Sequence, residues 1–496
     1  MAPTPRGRFE QRPNAQRRGG RRNNPRQPPR RDQIRQRTAG GQEILTNKRQ
    51  LLKMVVSNLL PLEITQDPNF LDFIHTLKPT FQIPANMCTL LNDVHKKQEE
   101  ELRNILAAAD DIVLTCELWS SRPEDFYLTV SCHFVDGYGN LKSYMLKTAS
   151  MLGDNSAANI QNQLSAVMEA WGIKEKVHSV VRAGMPQLKG VKAKWLHMPC
   201  FADTLNVIFK NLMSNNELSK VLKKCHNIVR FFKYNSEAEQ KLRNIQNRLG
   251  LVKDKLILHS GDQWLAWLHM LKSLNGQYSA MVMVINEKGK TDLILNEKDK
   301  EKLNNVISAL EHLKKATSMM KGNGFETIAV MLPLLKTLMD SLEKEKTNND
   351  VAQMLLSQCR EDFGDINKNR LATNTFLDPR YKNQLGQQSR KQAIYEITKE
   401  LNAAKVLSAA KVKDLLDKYM AYEPNAEDSN PLSWWRNTGK KNFGELSKFA
   451  LKKLGVVSTA VPLERAFSSA GDRFSNLRNS IEPENLNVIL FLHSNW

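Results

Sequence analysis

The chain has 496 residues, 41% of them hydrophobic, with 72 Lys+Arg against 52 Asp+Glu and a formal charge of +20. That length suggests two to four domains at roughly 100–200 residues each, and no apolar run reaches the roughly 18 residues of a membrane span. The first 30 residues are arginine-rich without an apolar segment and do not read as a secretory leader. The cysteines (Cys88, Cys116, Cys132, Cys200, Cys225 and Cys359) lie far apart with no C-x-x-C pair. This speaks against a disulfide framework or a Cys-based zinc finger and fits a reducing compartment.

Half of the charge excess sits at the N-terminus. Residues 1–40 hold 12 arginines, no lysine and only Glu10 and Asp32, a net +10. The arginines are Arg6, Arg8, Arg12, Arg17, Arg18, Arg21, Arg22, Arg26, Arg30, Arg31, Arg35 and Arg37. Beyond Met1, only Phe9 and Ile34 are large and apolar, so residues 1–42 cannot offset their ordering entropy and are predicted to be a disordered arm. Arginine pairs bidentately with phosphate and stacks on bases. The arm therefore reads as a nucleic-acid contact, DNA before RNA, or as a nuclear-import signal, against the plainer role of a solubilising tail. Arg17 to Arg22 also has the look of the RGG segments that favour RNA.

Residues 43–109 are predicted helical. Leu51, Leu52, Val55, Val56, Leu59 and Leu60 recur at helical spacing until Pro61, and a second helix spans Asn92 to Ala109. Strand signals are confined to 110–213. Ile112 to Leu118 suits a buried central strand, and Phe126 to Phe134 alternates with Phe126, Leu128, Val130, Cys132 and Phe134 on one face. The turn Asp136-Gly137-Tyr138-Gly139 leads into a third strand, Leu141 to Thr148. A helix follows from Asn155 to Trp171, then a fourth strand from Val177 to Val181, giving the order β-β-β-α-β. Residues 214–427 are almost wholly helical in periodicity, interrupted by Pro333 and Pro379, without a fixed repeat. Asn425 to Asn430 is a polar linker, and 428–496 form a compact, mostly helical end. The charged stretch Asn296 to Asn304 reads as a solvated helix face, and Cys225-His226 as an isolated structural pair.

Several blocks together resemble one family, the hAT (hobo–Activator type) transposases and the host proteins derived from them. The C-terminal run is the most specific: Ser433-Trp434-Trp435, then VPLERAFSSAGDRFSNLRNSIEPENLNVILFLHSN from Val461 to Asn495. Leu60 to Pro84, TCELWSS (Thr115 to Ser121), CFADTLN (Cys200 to Asn206), Gln263-Trp264 and FLDPRYK (Phe376 to Lys382) resemble further family blocks. The resemblance implies an α/β plus all-α molecule: an RNase H-like core interrupted by a large helical insertion and completed by a C-terminal dimerisation segment. Trp434, Trp435, Phe467, Leu490, Phe491 and Leu492 are its implied dimerisation residues, and a homodimer the implied assembly, against the plainer reading that the apolar run from Val488 to Leu492 closes the RNase H-like core.

Active members of the family hold two divalent cations with three carboxylates, because metals about 3.5–4 Å apart stabilise both the attacking and the leaving oxygen of strand transfer. Of the implied triad, Glu464 matches. The first position carries Glu117, one methylene longer than the family's Asp, and a displacement of about an ångström is poorly tolerated in catalysis. The second aligns with Arg182, a fixed cation where a metal ligand is expected. Asp203 stands where a family His is expected, and could rescue a metal site from the next helix. Trp264 could stack on a base as its family counterpart does, although a lone Trp on an amphipathic helix is more often core. No Cys-pair and His-pair spacing of a BED finger occurs in the 496 residues, so sequence-specific DNA reading is expected to come from a partner.

The expectation is therefore a domesticated hAT transposase without catalysis, metal or cofactor. It would act in the nucleus as a DNA- or chromatin-associated scaffold in transcriptional regulation, with a nuclear protein partner and no membrane association. The alternatives are a transposase with altered metal chemistry, and an RNA-associated protein that uses the arginine arm.

Overall fold

The computed structural model describes residues 46–496 apart from 82, 85, 122–124, 152–153, 252–254, 259–262, 321–323, 364–367, 424–429 and 468–469. The side chains of 368–370, 464, 467 and 470–473 are likewise outside the description. The arm, with its arginines from Arg6 to Arg37, lies outside the described residues.

Helix α1 (46–57) buries Leu51, Leu52, Val55 and Val56, the stripe its spacing predicts. Asp67 caps α2 (Pro68–Leu77) by accepting from the Phe70 N–H at 2.9 Å. Helix α3 (Met87–Ala107) starts earlier than the predicted Asn92, because Asn86 accepts from the Thr89 N–H at 3.1 Å and supplies the cap.

The sheet contains β1 (Ile112–Ser120), β2 (Phe126–Val135), β3 (Leu141–Ser150), β4 (Val177–Ala183) and β5 (Leu196–Pro199), with α4 (Ala157–Ala170) between β3 and β4. Its order is β3-β2-β1-β4-β5. β1 runs antiparallel to β2 and parallel to β4, so the chain crosses over through α4 to the far side of β1, as the RNase H-like reading requires. β5 was not foreseen. Four residues ending in proline carry no alternation to detect, and the strand is held only by its parallel pairing with β4. One face of the sheet (Leu114, Cys116, Leu128, Val130, Val180) packs with α1, α3 and α4. The other (Val113, Val181, Ala183) joins the helical core.

Helix α5 (Phe201–Met213) leads from β5 into the helical body. That body comprises α6 (Asn216–Tyr234), α7 (Ser236–Leu249), α8 (Trp264–Glu287), α9 (Glu297–Thr317), α10 (Met331–Glu345), α11 (Asp350–Asp362), α12 (Lys368–Leu377), α13 (Gln387–Ala403) and α14 (Ala409–Ala421). Pro333 does not interrupt a helix. It sits in the first turn of α10, where its missing N–H costs nothing. The charged stretch from Asn296 opens α9 with a reciprocal cap between Asn296 and Asp299. The Phe376–Lys382 block forms an internal clasp. Asp378 is fully buried and receives the Arg380 fork at 2.7 and 3.0 Å, and Arg380 also reaches Glu326 at 3.4 Å. Lys382 caps the end of α14 by donating to the Tyr419 and Tyr422 carbonyls at 2.7 and 2.5 Å.

The C-terminal region adds α15 (Pro431–Trp434), a π turn (Trp435–Gly439), α16 (Lys440–Phe443), α17 (Glu445–Leu454), α18 (Leu463–Phe467), α19 (Ala470–Asn479) and α20 (Pro483–Asn495). Most of the implied dimerisation residues whose side chains are described lie inside the protomer. Trp435 has no exposure, donates its indole N–H to the Leu377 carbonyl at 2.6 Å, and lies over Gly439, where a Cβ would come within 2.4 Å of its ring. Trp434 is half-buried against Tyr419, Tyr422 and Phe443. Leu490, Phe491 and Leu492 are buried within the protomer, against the sheet and α3. Phe467 lies in α18 with its side chain outside the description. Trp435, Leu490, Phe491 and Leu492 close the core of one chain, and are not a free surface for a second.

Helix α20 also covers the β3 edge. The Asn495 amide pairs with both the N–H and the carbonyl of Met145 at 2.8 Å, and Asn487 accepts from the Thr148 N–H at 2.8 Å. An open strand edge is thereby satisfied without another strand. Asn495→Ala should cost about 1–3 kcal/mol, the range for leaving buried backbone groups unpaired. It should also speed amide exchange at Met145 specifically, which urea denaturation with hydrogen-exchange mass spectrometry would measure.

Candidate functional site

The sheet face carrying Glu117 shares Val113, Val181 and Ala183 with the helical core but is polar along β2. Directly paired neighbours share a face, so Glu117 lies beside Thr129 on β2 and Ala183 on β4. Thr129 receives the Trp119 indole N–H at 2.9 Å and contacts Thr148 at 2.9 Å. His133, fully buried, bridges Thr115 at 3.0 Å and Ser143 at 2.8 Å, and burial pushes its imidazole down to about 3. This buried histidine was missed because it falls on the polar phase of the β2 alternation.

Above this face is a cavity of about 510 Å³ whose lining includes Glu117, Arg465, Phe474 and Arg478. Glu117 is 18% exposed and ion-paired twice, with Arg465 of α18 and with Arg478 of α19, the latter at 3.3 Å. The arginines are held in turn by rings. Arg478 lies 3.6 Å from the centroid of Trp119, which stacks on Tyr127, and Arg465 lies 4.3 Å from Phe474. Burial alone would raise the Glu117 carboxyl, but the Arg465 and Arg478 charges outweigh it and hold it at about 2.

Arg182 is not part of this cavity. It pairs with Cys116 and so projects from the opposite face to Glu117, donating to the Met185 carbonyl at 2.5 Å. The expectation that Arg182 supplies the cation at the metal position is thus corrected: the cations are Arg465 and Arg478. Both stood within the quoted family block, yet only their place in the fold shows that they converge on β1. Asp203 opens α5 and accepts from the Gly184 N–H at 2.9 Å. Gly184 itself has φ +72° and lies so close to Leu118 that a Cβ would be 2.6 Å from its carbonyl. Asp203 therefore fixes the turn that ends β4. Glu464 lies in α18, its side chain outside the description.

Hard divalent cations need several oxygen ligands free to coordinate. Among the described residues, Glu117 is engaged by two guanidiniums, Ala183 stands opposite it, and no group of three or more His, Cys, Asp or Glu is placed to hold a metal. The described donors do not fit a two-metal site. Trp264 takes the plainer of its two readings: it is 1% exposed in the helical core, with no face open to a base. Cys225 is buried in α6, its thiol pushed up to about 12 by burial.

The sheet order, the helical insertion and the C-terminal return define a transposase-type RNase H-like fold whose central cleft is lined by arginines paired to Glu117. Comparison with known proteins gives the same class. Residues 115–187 match the ZBED1 RNase-like domain, 198–309 the ZBED1 RNase-like helical domain, and 415–496 the hAT family C-terminal dimerisation region. Human zinc finger BED domain-containing protein 4 is 22% identical over 90% of this chain and 43% of its own length. Zinc finger BED domain-containing protein RICESLEEPER 2 of Oryza sativa subsp. japonica is 23% identical over 45% of this chain and 34% of its own. A Zea mays protein described as an AC transposase is 19% identical over 66% of this chain and 44% of its own. The chain belongs with the hAT transposases and the BED-type proteins derived from them. It spans less than half the length of these relatives.

The sign of the pH dependence follows from Glu117. Its carboxyl falls from an ordinary 4.5 to about 2 on folding, so its stabilisation is complete above about pH 4.5 and is lost as pH falls through 2. That difference corresponds to about 3 kcal/mol. Glu117→Gln should lower stability by about that amount at neutral pH, and should remove this share of the acid dependence between pH 4.5 and 2. Urea denaturation at a series of pH values measures both.

Proposed function

We propose that this chain is a transposase-derived scaffold that associates with DNA in the nucleus without catalysing strand transfer, and that it serves transcriptional regulation. The observation that carries the reading is the engagement of Glu117 by Arg465 and Arg478, which gives the β1 carboxylate fixed cations in place of mobile ones. Membership among transposase-derived relatives supports DNA association, and the match to the dimerisation region supports a homodimer. The buried Trp435, Leu490, Phe491 and Leu492 mean that such a dimer would use surface outside these side chains.

The test of the catalytic part is direct. With Mg²⁺ or Mn²⁺ and duplex DNA, the protein should give no strand cleavage above background. Metal-dependent cleavage that disappears in Glu464→Ala would overturn the reading.

The arm supplies the electrostatic share of binding. Each phosphate it neutralises should contribute about −0.9 to the slope of log affinity against log salt. Replacing its arginines by glutamine in the full chain should flatten that slope and weaken duplex binding without changing sequence preference, as measured by fluorescence anisotropy across a salt series. The Arg17–Arg22 pattern favours a second reading, an RNA partner, and single-stranded RNA in the same series separates the two.

A further inference from the structure

A second, larger cavity, of about 990 Å³, opens between the β4–β5 edge, α13 and α17, and shares no lining residue with the Glu117 cavity. Arg182 lines it, on the sheet face turned away from Glu117.

Arg182, Trp195 and His197 are among the residues that line this cavity, and Arg182 Nε, Trp195 Nε1 and both ring nitrogens of His197 are buried without a hydrogen-bond partner among the described residues. Buried polar groups are ordinarily hydrogen-bonded, so such a cluster points to a ligand. Trp195 is 8% exposed, and its ring meets His197 edge-on at 6.2 Å. The bond from Arg182 Nη1 to the Met185 carbonyl holds the guanidinium in place and leaves Nε unused.

The surrounding charge has one sign in excess. Lys192, Lys194, Lys399, Lys452 and Lys453 also line the cavity, against only Glu396 and Glu400. Three of these lysines are paired, Lys194 with Glu175 at 3.2 Å, Lys452 with Asp111 at 2.6 Å and Lys453 with Glu400 at 2.6 Å. Lys192 and Lys399 are exposed and have no carboxylate within ion-pairing distance among the described residues. Glu396 is held by the Gln392 amide at 2.8 Å.

The chemistry of the donors narrows the ligand. An indole N–H and a guanidinium N–H only donate, so the ligand must accept. Arg182 and the lysines exclude a cation. An oxyanion with several acceptor oxygens fits this fork and its flanking ammonium groups, and arginine matches phosphate geometry. We propose that this cleft is a phosphate-binding site in which Arg182, Trp195 and His197 hold a phosphoryl group presented by a nucleotide or by a nucleic-acid backbone, with Lys192 and Lys399 at its mouth. The site does not depend on the arginine arm or on the state of the Glu117 cavity.

Hydrogen-exchange mass spectrometry on the full chain tests this, with inorganic phosphate, adenosine monophosphate and a single-stranded oligonucleotide as separate probes in low-salt chloride buffer. Exchange across residues 184–199 should slow. The effect should need at least tenfold more probe in Arg182→Gln, and likewise in the double variant Lys192→Glu/Lys399→Glu, whose exposed positions leave the core intact. Protection by phosphate or the mononucleotide assigns the site to small phosphates, and protection by the oligonucleotide alone assigns it to a strand. Protection that persists when the arm arginines are replaced separates the site from the arm. If no probe protects 184–199, or if both variants are protected like the parent, the proposal is overturned.

Discussion

The ion triad of Glu117, Arg465 and Arg478 is the constraint on which the rest of the structure depends. It joins β1 to helices 348 and 361 residues later in the chain. A carboxylate this enclosed is costly to keep ionised unless cations and hydrogen bonds compensate it, and removing one partner of such a group is far worse than never having built it. The C-terminal helices must therefore return to the sheet. Trp119 and Phe474 then fix the guanidiniums from the sides, so that their positions are set by packing as well as by charge.

The return is prepared by backbone pairing between segments distant in sequence. Thr327 and Val457 form an antiparallel bridge, the Ser458 N–H donates to the Glu326 carbonyl at 2.9 Å, and the Phe201 N–H donates to the Ser458 carbonyl at 2.9 Å. The stretch before α18 thus lies between the helical insertion and the start of α5. Beyond it, α20 seals the β3 edge through Asn487 and Asn495. The region matched as a dimerisation segment is in this protomer a structural closure of the core, which explains why Trp435, Leu490, Phe491 and Leu492 face inward.

Much of this was legible in the sequence because period-2 and period-3.6 patterns report burial directly. The strands β1 to β4, α4 and the all-helical insertion follow from it, and the Asp136-Gly137-Tyr138-Gly139 turn appears where read, with Asp136 accepting from the Tyr138 and Asn140 N–H groups at 2.9 Å. β5 escaped because so short a strand has no period. The candidate site was half legible. Motif alignment gave Glu117 and the loss of an acid at Arg182, but not the face from which each projects. That information lives in sheet register, and a one-residue phase difference sends Arg182 into a different cleft from Glu117. Arg465 and Arg478 were invisible as site residues for a related reason, since only long-range packing brings them to β1. Trp435 shows the converse: a large aromatic at a motif position reads as a contact to a partner, and packing places it in the core, as the amphipathic helix already favoured for Trp264.

The central claim is that the chain's own arginines occupy the electrostatic role that divalent metal would fill. Titration of Mn²⁺ into the protein, followed by electron paramagnetic resonance of the free ion, tests this most directly. The account predicts no stoichiometric Mn²⁺ site, with Glu117→Gln indistinguishable from the parent chain. Tight binding of one or two Mn²⁺ per protomer, abolished by Glu117→Gln, would contradict it.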